Sequence, residues 1–420
     1  MIKLFVNAWK AKEVRNKILY TFLILAIIRL GVHVALPGID VQSILATESS
    51  ASTGTLYNII AGGANSRWSI FSLGIGPYIN AAIIMQLLTV AIPKIEQLNK
   101  EGEEGRKKIE NYTRYLTVAL ALIQAIGVTY SYRSVFSANS IVIFTISVIC
   151  LVCGATFIMW LAEQITDRGI TNGSSMIIFV NIVSNLPSGV RSLTLYGAGG
   201  DYSGVIKVII ILVLLLADIL FIVFINEGER RIPVQYSSKM MGRRSFGGQS
   251  TFMPIKISTS GVLAIIFAIS ILQFPETIGQ FVHVGSVFQK VIDVLRITNP
   301  IGTLIYIVLI FFFSYFYTSI IINPNEMAEN MKKSGGFIPG IRPGQPTSAY
   351  IDRVVNRVTF IGAISFVLIA LVPLVLQWVF GLNVGFGGTT LIIVVGVALD
   401  IVKAMESQLL MRHYKGFLND

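Results

Sequence analysis

Ten apolar segments divide this chain, far more than one soluble domain can bury. They run at about 18–36, 69–92, 113–132, 140–161, 174–190, 204–226, 256–274, 302–323, 356–378 and 389–407. A membrane-crossing helix needs about 20 apolar residues, because a rise of ~1.5 Å per residue must cover ~30 Å of hydrocarbon. Ten such helices use roughly half of the 420 residues, in keeping with 54% hydrophobic and only 13% charged residues.

Charge placement sets the topology. With the first residues in the cytoplasm and a reversal at every span, 26 of the 33 Lys and Arg fall in cytoplasmic segments. Six fall in the opposite set, and Arg29 lies within a span. Cytoplasmic loops of membrane proteins carry this excess of Lys and Arg, so both ends of the chain are expected inside. The net charge of +11 is accounted for by those loops. A nucleic-acid surface would instead show basic patches on a soluble face.

Residues 1–17 carry five positive charges and no small-residue cleavage site follows them, so they read as a retained amphipathic surface segment. Cys150 and Cys153 sit one turn apart in an apolar run while His33, His283 and His413 are scattered, which favours two small buried residues over a redox or metal site. No GxxxxGK[ST], HExxH or GxSxG occurs, so no catalytic residue, metal or cofactor is expected.

Two halves of five spans each would enter the membrane from opposite sides, the arithmetic of an inverted repeat with its functional site at midplane. Three segments are irregular. Residues 55–65 are apolar but half a span long, as re-entrant segments are. The second span opens with Gly74, Gly76 and Pro77, and the short fifth contains Asn181, Asn185 and Pro187. Interrupted or polar spans line cavities more often than they face lipid. Two cytoplasmic loops, 227–255 and 324–355, are far longer than a usual connection of about four to six residues. The first carries Arg230, Arg231, Lys239, Arg243 and Arg244; the second carries Lys332, Lys333, Arg342 and Arg353 amid GGFIPGIRPGQP. Turns so closely set by Gly and Pro point to a binding surface.

The stretch NPNEMAENMKKSGGFIPGIRPGQPTSAYI (323–351) resembles a loop of the SecY family, the channel subunits of the bacterial Sec protein translocase. So, in order and spacing, do FSLGIGPYINAAIIMQLLTV (71–90), KEGEEGRKKIENYTRY (100–115), WLAEQITDRGITNG (160–173) and FGGTTLIIVV (386–395). The resemblance implies an all-α membrane protein of ten transmembrane helices in two inverted five-helix halves, 18–190 and 204–407, around a central pore, with a cytoplasmic tail at 408–420. It implies a plug at 55–65 (Leu56, Ile59, Ile60, Gly62, Gly63) and a pore ring of Ile75, Ile79, Ile178, Ile266 and Ile393. An apolar constriction of that kind excludes ions by dewetting, since it offers them no ligand.

A lateral gate is implied between spans two and seven, with Asn80, Gln86, Gln124 and Ser258. Here the chain departs from the family, which often has Asn at Ser258 and Pro at Ala264; Asp218 is a further departure. Arg29 would tie helices together. Arg243, Arg244, Lys332, Lys333 and Arg342 would dock the SecA ATPase or a ribosome. SecE and SecG are implied as further partners, signal peptides and unfolded preproteins as substrates, and the bacterial plasma membrane as the location. The competing reading, an inverted-repeat secondary transporter for small solutes, would need polar or charged groups converging at midplane. Asp218 is a candidate for one, but it has no evident relay partner.

Overall fold

The computed structural model describes residues 2–37, 68–131, 141–197, 202–236, 240–241, 244–245, 250–259, 261–279, 286–297, 299–380 and 388–418. The expected plug residues Leu56, Ile59, Ile60, Gly62 and Gly63, together with Arg243, lie outside them.

The described chain is helical almost throughout. Helices α1 (Ile2–Lys10), α2 (Lys12–Gly31), α3 (Gly76–Ala91), α4 (Pro93–Lys100), α5 (Glu103–Ser131), α6 (Ile141–Arg168) and α7 (Gly173–Gly197) make up the first half. The second half comprises α8 (Tyr202–Glu227), α9 (Leu263–Gly279), α10 (Ser286–Leu295), α11 (Pro300–Ile321), α12 (Pro324–Lys333), α13 (Gln345–Phe380) and α14 (Gly388–Leu418). Strands β1 (Glu229–Tyr236), β2 (Met240–Met241), β3 (Arg244–Ser245) and β4 (Ser250–Lys256) follow α8, and β5 (Gly336–Phe337) follows α12.

Each expected span falls on one helix: α2, α3, α5, α6, α7, α8, α9, α11, α13 and α14 in turn. By length and apolarity alone, α6, α7, α8, α11 and α13 could each cross a membrane, and the bent pair α3–α4 could count as a sixth. The other four are shorter, charged at one end or diluted by polar residues.

Several boundaries differ from the sequence reading, and three of them bear on the architecture. The helix of the fifth span outruns its short apolar segment: α7 continues to Gly197 with Pro187 inside it. Helix α13 begins at Gln345 and extends over 36 residues, so much of the second long loop is helical. Helix α3 begins at Gly76, not near residue 69, and its 16 residues rise only ~24 Å. Its start is set by a turn in which Trp68, Ser69, Ser72, Leu73 and Ile75 are all buried. Irregular backbone inside a membrane is tolerated only where protein surrounds it. At the other end, α3 turns through 99° into α4, because Ile92 is extended and Pro93 opens the next helix.

That turn has a counterpart in the second half. Residues after α2 pair antiparallel with the turn, through Leu36 N–H to Trp68 O (2.8 Å) and Ile70 N–H to Val34 O (3.0 Å). Residues after α8 likewise pair with those before α9, through Ile257 N–H to Gly228 O (2.9 Å). Gly74 and Gly261, each two residues ahead of its helix, both have φ +55°, a conformation that L side chains rarely adopt. Gly154 of α6 lies so close to the turn that a Cβ there would sit 2.1 Å from Ile70 O. Gly362 of α13 stands in the same relation to Ile257 O, at 2.5 Å. The inverted repeat, invisible as residue identity, is thus present as a repeated packing solution.

The two long loops join into one platform. Strand β1 pairs antiparallel with β4, from Glu229↔Lys256 to Gln235↔Ser250, and β5 adds to its other edge at Gln235↔Phe337. Alternation turns Ile232 and Val234 inward, where they meet Ile255, Ala328, Met331, Ile338, Ile351 and Val355. At the termini, Ala8, Ala11, Val14 and Ile18 pack against Met405 of α14, which brings the two ends of the chain together.

Candidate functional site

The five isoleucines converge. Ile75, Ile178 and Ile393 are at most 4% exposed and belong to one apolar cluster, and Ile79 and Ile266 pack against it. They come from α3 and its cap, α7, α9 and α14, so both halves contribute. The inverted packing explains the convergence. Ile79 and Ile266 each lie three residues into a helix launched by an equivalent glycine turn. Ile178 and Ile393 each lie five residues into α7 and α14, both of which open on glycine. Ile75, ahead of α3, has Val262 as its counterpart ahead of α9, and Val262 packs on the same cluster. Sequence reasoning missed Val262; its spacing from Gly261, matching that of Ile75 from Gly74, would have found it.

The gate residues are only partly brought together. Ile83 of α3 and Ala264, Ile265, Phe267 and Ala268 of α9 belong to a second apolar cluster, which α11 and α13 also build. Gln86 accepts a hydrogen bond from Tyr317 Oη of α11 at 2.6 Å. Gln124 of α5 is half-buried and its Oε1 has no hydrogen-bond partner among the described residues. Asn80 is half-buried on α3. Ser258 is elsewhere than expected: α9 begins only at Leu263, and Ser258 in the preceding turn donates to Asn226 Oδ1 of α8 at 2.7 Å.

On the platform, α12 begins with Pro324 behind a capping Asn323, whose Oδ1 accepts from the backbone of Asn325 and Glu326. Lys332 and Lys333 occupy its last turn, where cations complement the helix dipole, and Lys333 pairs with Glu329 at 2.9 Å. Lys333 also holds the Glu329 carboxyl below its usual range, first through that hydrogen bond and then through its charge. Arg342 is exposed between Gly340 (φ +83°) and Gly344 (φ +104°), and its guanidinium has no ion pair among the described residues. Thr347 Oγ1 donates to the Arg342 carbonyl at 2.8 Å and steadies the turn. Of Arg244, only the backbone in β3 is described.

Two buried charges were singled out in the sequence. Arg29 lies half-buried in the last turn of α2, where its carbonyl oxygen is 2.9 Å from His33 Nδ1. Asp218 is 5% exposed on α8, and its Oδ2 has no hydrogen-bond partner among the described residues. No group of three or more His, Cys, Asp or Glu that could hold a metal occurs among the described residues.

Two halves with equivalent packing that meet in one apolar cluster, joined to a strand-and-helix platform with an exposed arginine, define a polytopic membrane protein. The SecY family model matches residues 69–402. The chain is 43% identical to the protein translocase subunit SecY of Streptomyces galbus over the full length of both. It is 40% identical to that of Thermotoga maritima, covering 100% of this chain and 98% of the relative. The chain belongs to the SecY family. Among solved structures, a protein-conducting channel superposes with TM-score 0.63 at 18% identity, covering 94% of this chain and 91% of that one. The yeast Ssh1 complex bound to the yeast ribosome gives TM-score 0.64 at 16% identity, covering 94% and 89%.

Proposed function

We propose that this chain is the central protein-conducting channel of a bacterial Sec translocase in the plasma membrane. It passes unfolded secretory proteins through the constriction and releases membrane segments sideways. The observation that carries this reading is the meeting of Ile75, Ile79, Ile178, Ile266 and Ile393, from both halves, in one apolar cluster. Such a constriction offers ions no ligand. Branched aliphatic side chains can part around a passing chain and close behind it. Residues 55–65 serve as the plug, and α3 and α9 bound the lateral gate.

The platform docks the motor, either the SecA ATPase or a translating ribosome, with Arg342, Lys332 and Lys333 as the cationic contacts and Arg243 and Arg244 beside them. SecE and SecG complete the membrane complex, and both termini face the cytoplasm, following the bias of positive charge. A small-solute transporter is disfavoured because aliphatic residues, not polar ones, meet between the halves.

The test is a precursor stalled in transit, with photo-crosslinkers placed singly at Ile79, Ile178, Ile266 and Ile393. Each should capture the precursor, and Leu368, exposed on α13, should not. Equal labelling at ring and control positions would overturn the reading.

A further inference from the structure

The seam between α3 and the second half is almost wholly apolar. Ile83 shares one apolar cluster with Ala264, Phe267, Phe313 and Tyr317, and Leu87 packs against it. Among the described residues a polar contact crosses between the halves within it, from Tyr317 Oη of α11 to Gln86 Oε1 of α3 at 2.6 Å. Tyr317 is fully buried, and the Phe267 ring of α9 lies 4.8 Å from its own, so the phenol is fixed in place. Among the described residues the hydroxyl's hydrogen-bond partner lies on α3, so the bond persists only while α3 stays docked.

We propose that Tyr317 and Gln86 form a clasp that holds the lateral seam closed, making Tyr317 a positioning residue for sideways release. The inference rests on the lateral-gate reading above. In apolar surroundings a buried hydroxyl and amide left unpaired are costly, while a pair satisfied across the seam favours the closed state. A hydrophobic segment that needs the open state then binds with an affinity reduced by the fraction of channels that are open. Removing one partner raises that fraction. Removing both restores an apolar seam, since replacing both members of a hydrogen bond by apolar groups is close to neutral.

The test uses the full chain in lipid nanodiscs, with Cys150 and Cys153 replaced by Ala and spin labels introduced through Thr89→Cys on α3 and Ser319→Cys on α11. A synthetic leucine-rich peptide with a lysine-bearing N-terminus is the probe, and widening of the label distance is read against peptide concentration. Tyr317→Phe should lower the half-maximal concentration about three- to tenfold, and Gln86→Leu should do the same. The double variant should return to within about twofold of the parent. An unchanged midpoint in Tyr317→Phe, or shifts that multiply in the double variant, would overturn the clasp. If all variants widen alike and a photo-crosslinker at Ile83 captures the peptide, the gate stands without the clasp. If the parent shows neither widening nor capture, the gate reading itself fails and the clasp with it.

Discussion

Gly154→Ala adds one methyl group to α6, and the structure has no room for it. The new Cβ would sit 2.1 Å from the carbonyl oxygen of Ile70, so the two must separate by about 1 Å to reach even a tight contact. A side chain could rotate away, but this obstacle is backbone, tied by Ile70 N–H to Val34 O at 3.0 Å. Overpacking costs ~1–3 kcal/mol where neighbours can adjust, and a pinned carbonyl places Gly154→Ala at the upper end of that range. The displaced turn launches α3, so Ile75 and Ile79 should shift with it and loosen the apolar cluster proposed as the constriction. Gly362→Ala, with its Cβ 2.5 Å from Ile257 O, should do the same to α9 and Ile266. The control is Gly396→Ala, where the nearest atom is a Val262 side-chain methyl at 2.9 Å. The assays are the thermal midpoint of the purified protein in detergent and ion conductance across planar bilayers. Both backbone-facing variants should melt lower than the control and leak more. Midpoints and conductances equal to those of Gly396→Ala would refute the claim that these close approaches set the turns.

Two further outcomes follow from the site. Arg342→Glu should leave insertion and abundance near normal while cutting precursor export sharply, by roughly 2–5 kcal/mol of coupling if the contact is desolvated; Arg342→Lys should be intermediate, because Lys lacks the bidentate fork. Export into vesicles at matched channel levels is the measurement, and normal export by the Glu variant would leave Arg342 as a topology charge. Deleting Leu56 to Ala64 should keep the protein inserted yet make membranes conduct small ions, and conductance at the parent level would count against the plug.

Much of this architecture was legible in the chain itself. Apolar runs of spanning length fall on α2, α3, α5 to α9, α11, α13 and α14, because hydrocarbon imposes a local requirement that a sequence window can display. The loop motifs carried the family, and through it the five isoleucines. Other features depend on partners distant in sequence. That α3 starts at Gly76 follows from the close approach of Gly154 to Ile70 and the pairing of Val34 with Ile70, whose distant partners lie outside any window around residue 69. Ser258 resembles a helical position until α9 is seen to begin after Gly261 and Asn226 takes its hydroxyl. The two loops read as separate connections, yet β5 of the second completes the sheet begun by β1 and β4 of the first. Sequence alone determined the class and the spans, and the family resemblance singled out five isoleucines that share one apolar cluster, since hydropathy and motif are local properties. Only the tertiary structure decided where helices start, which loops join and which polar groups pair across the seam, because steric fit and hydrogen bonding belong to pairs of residues far apart in the chain.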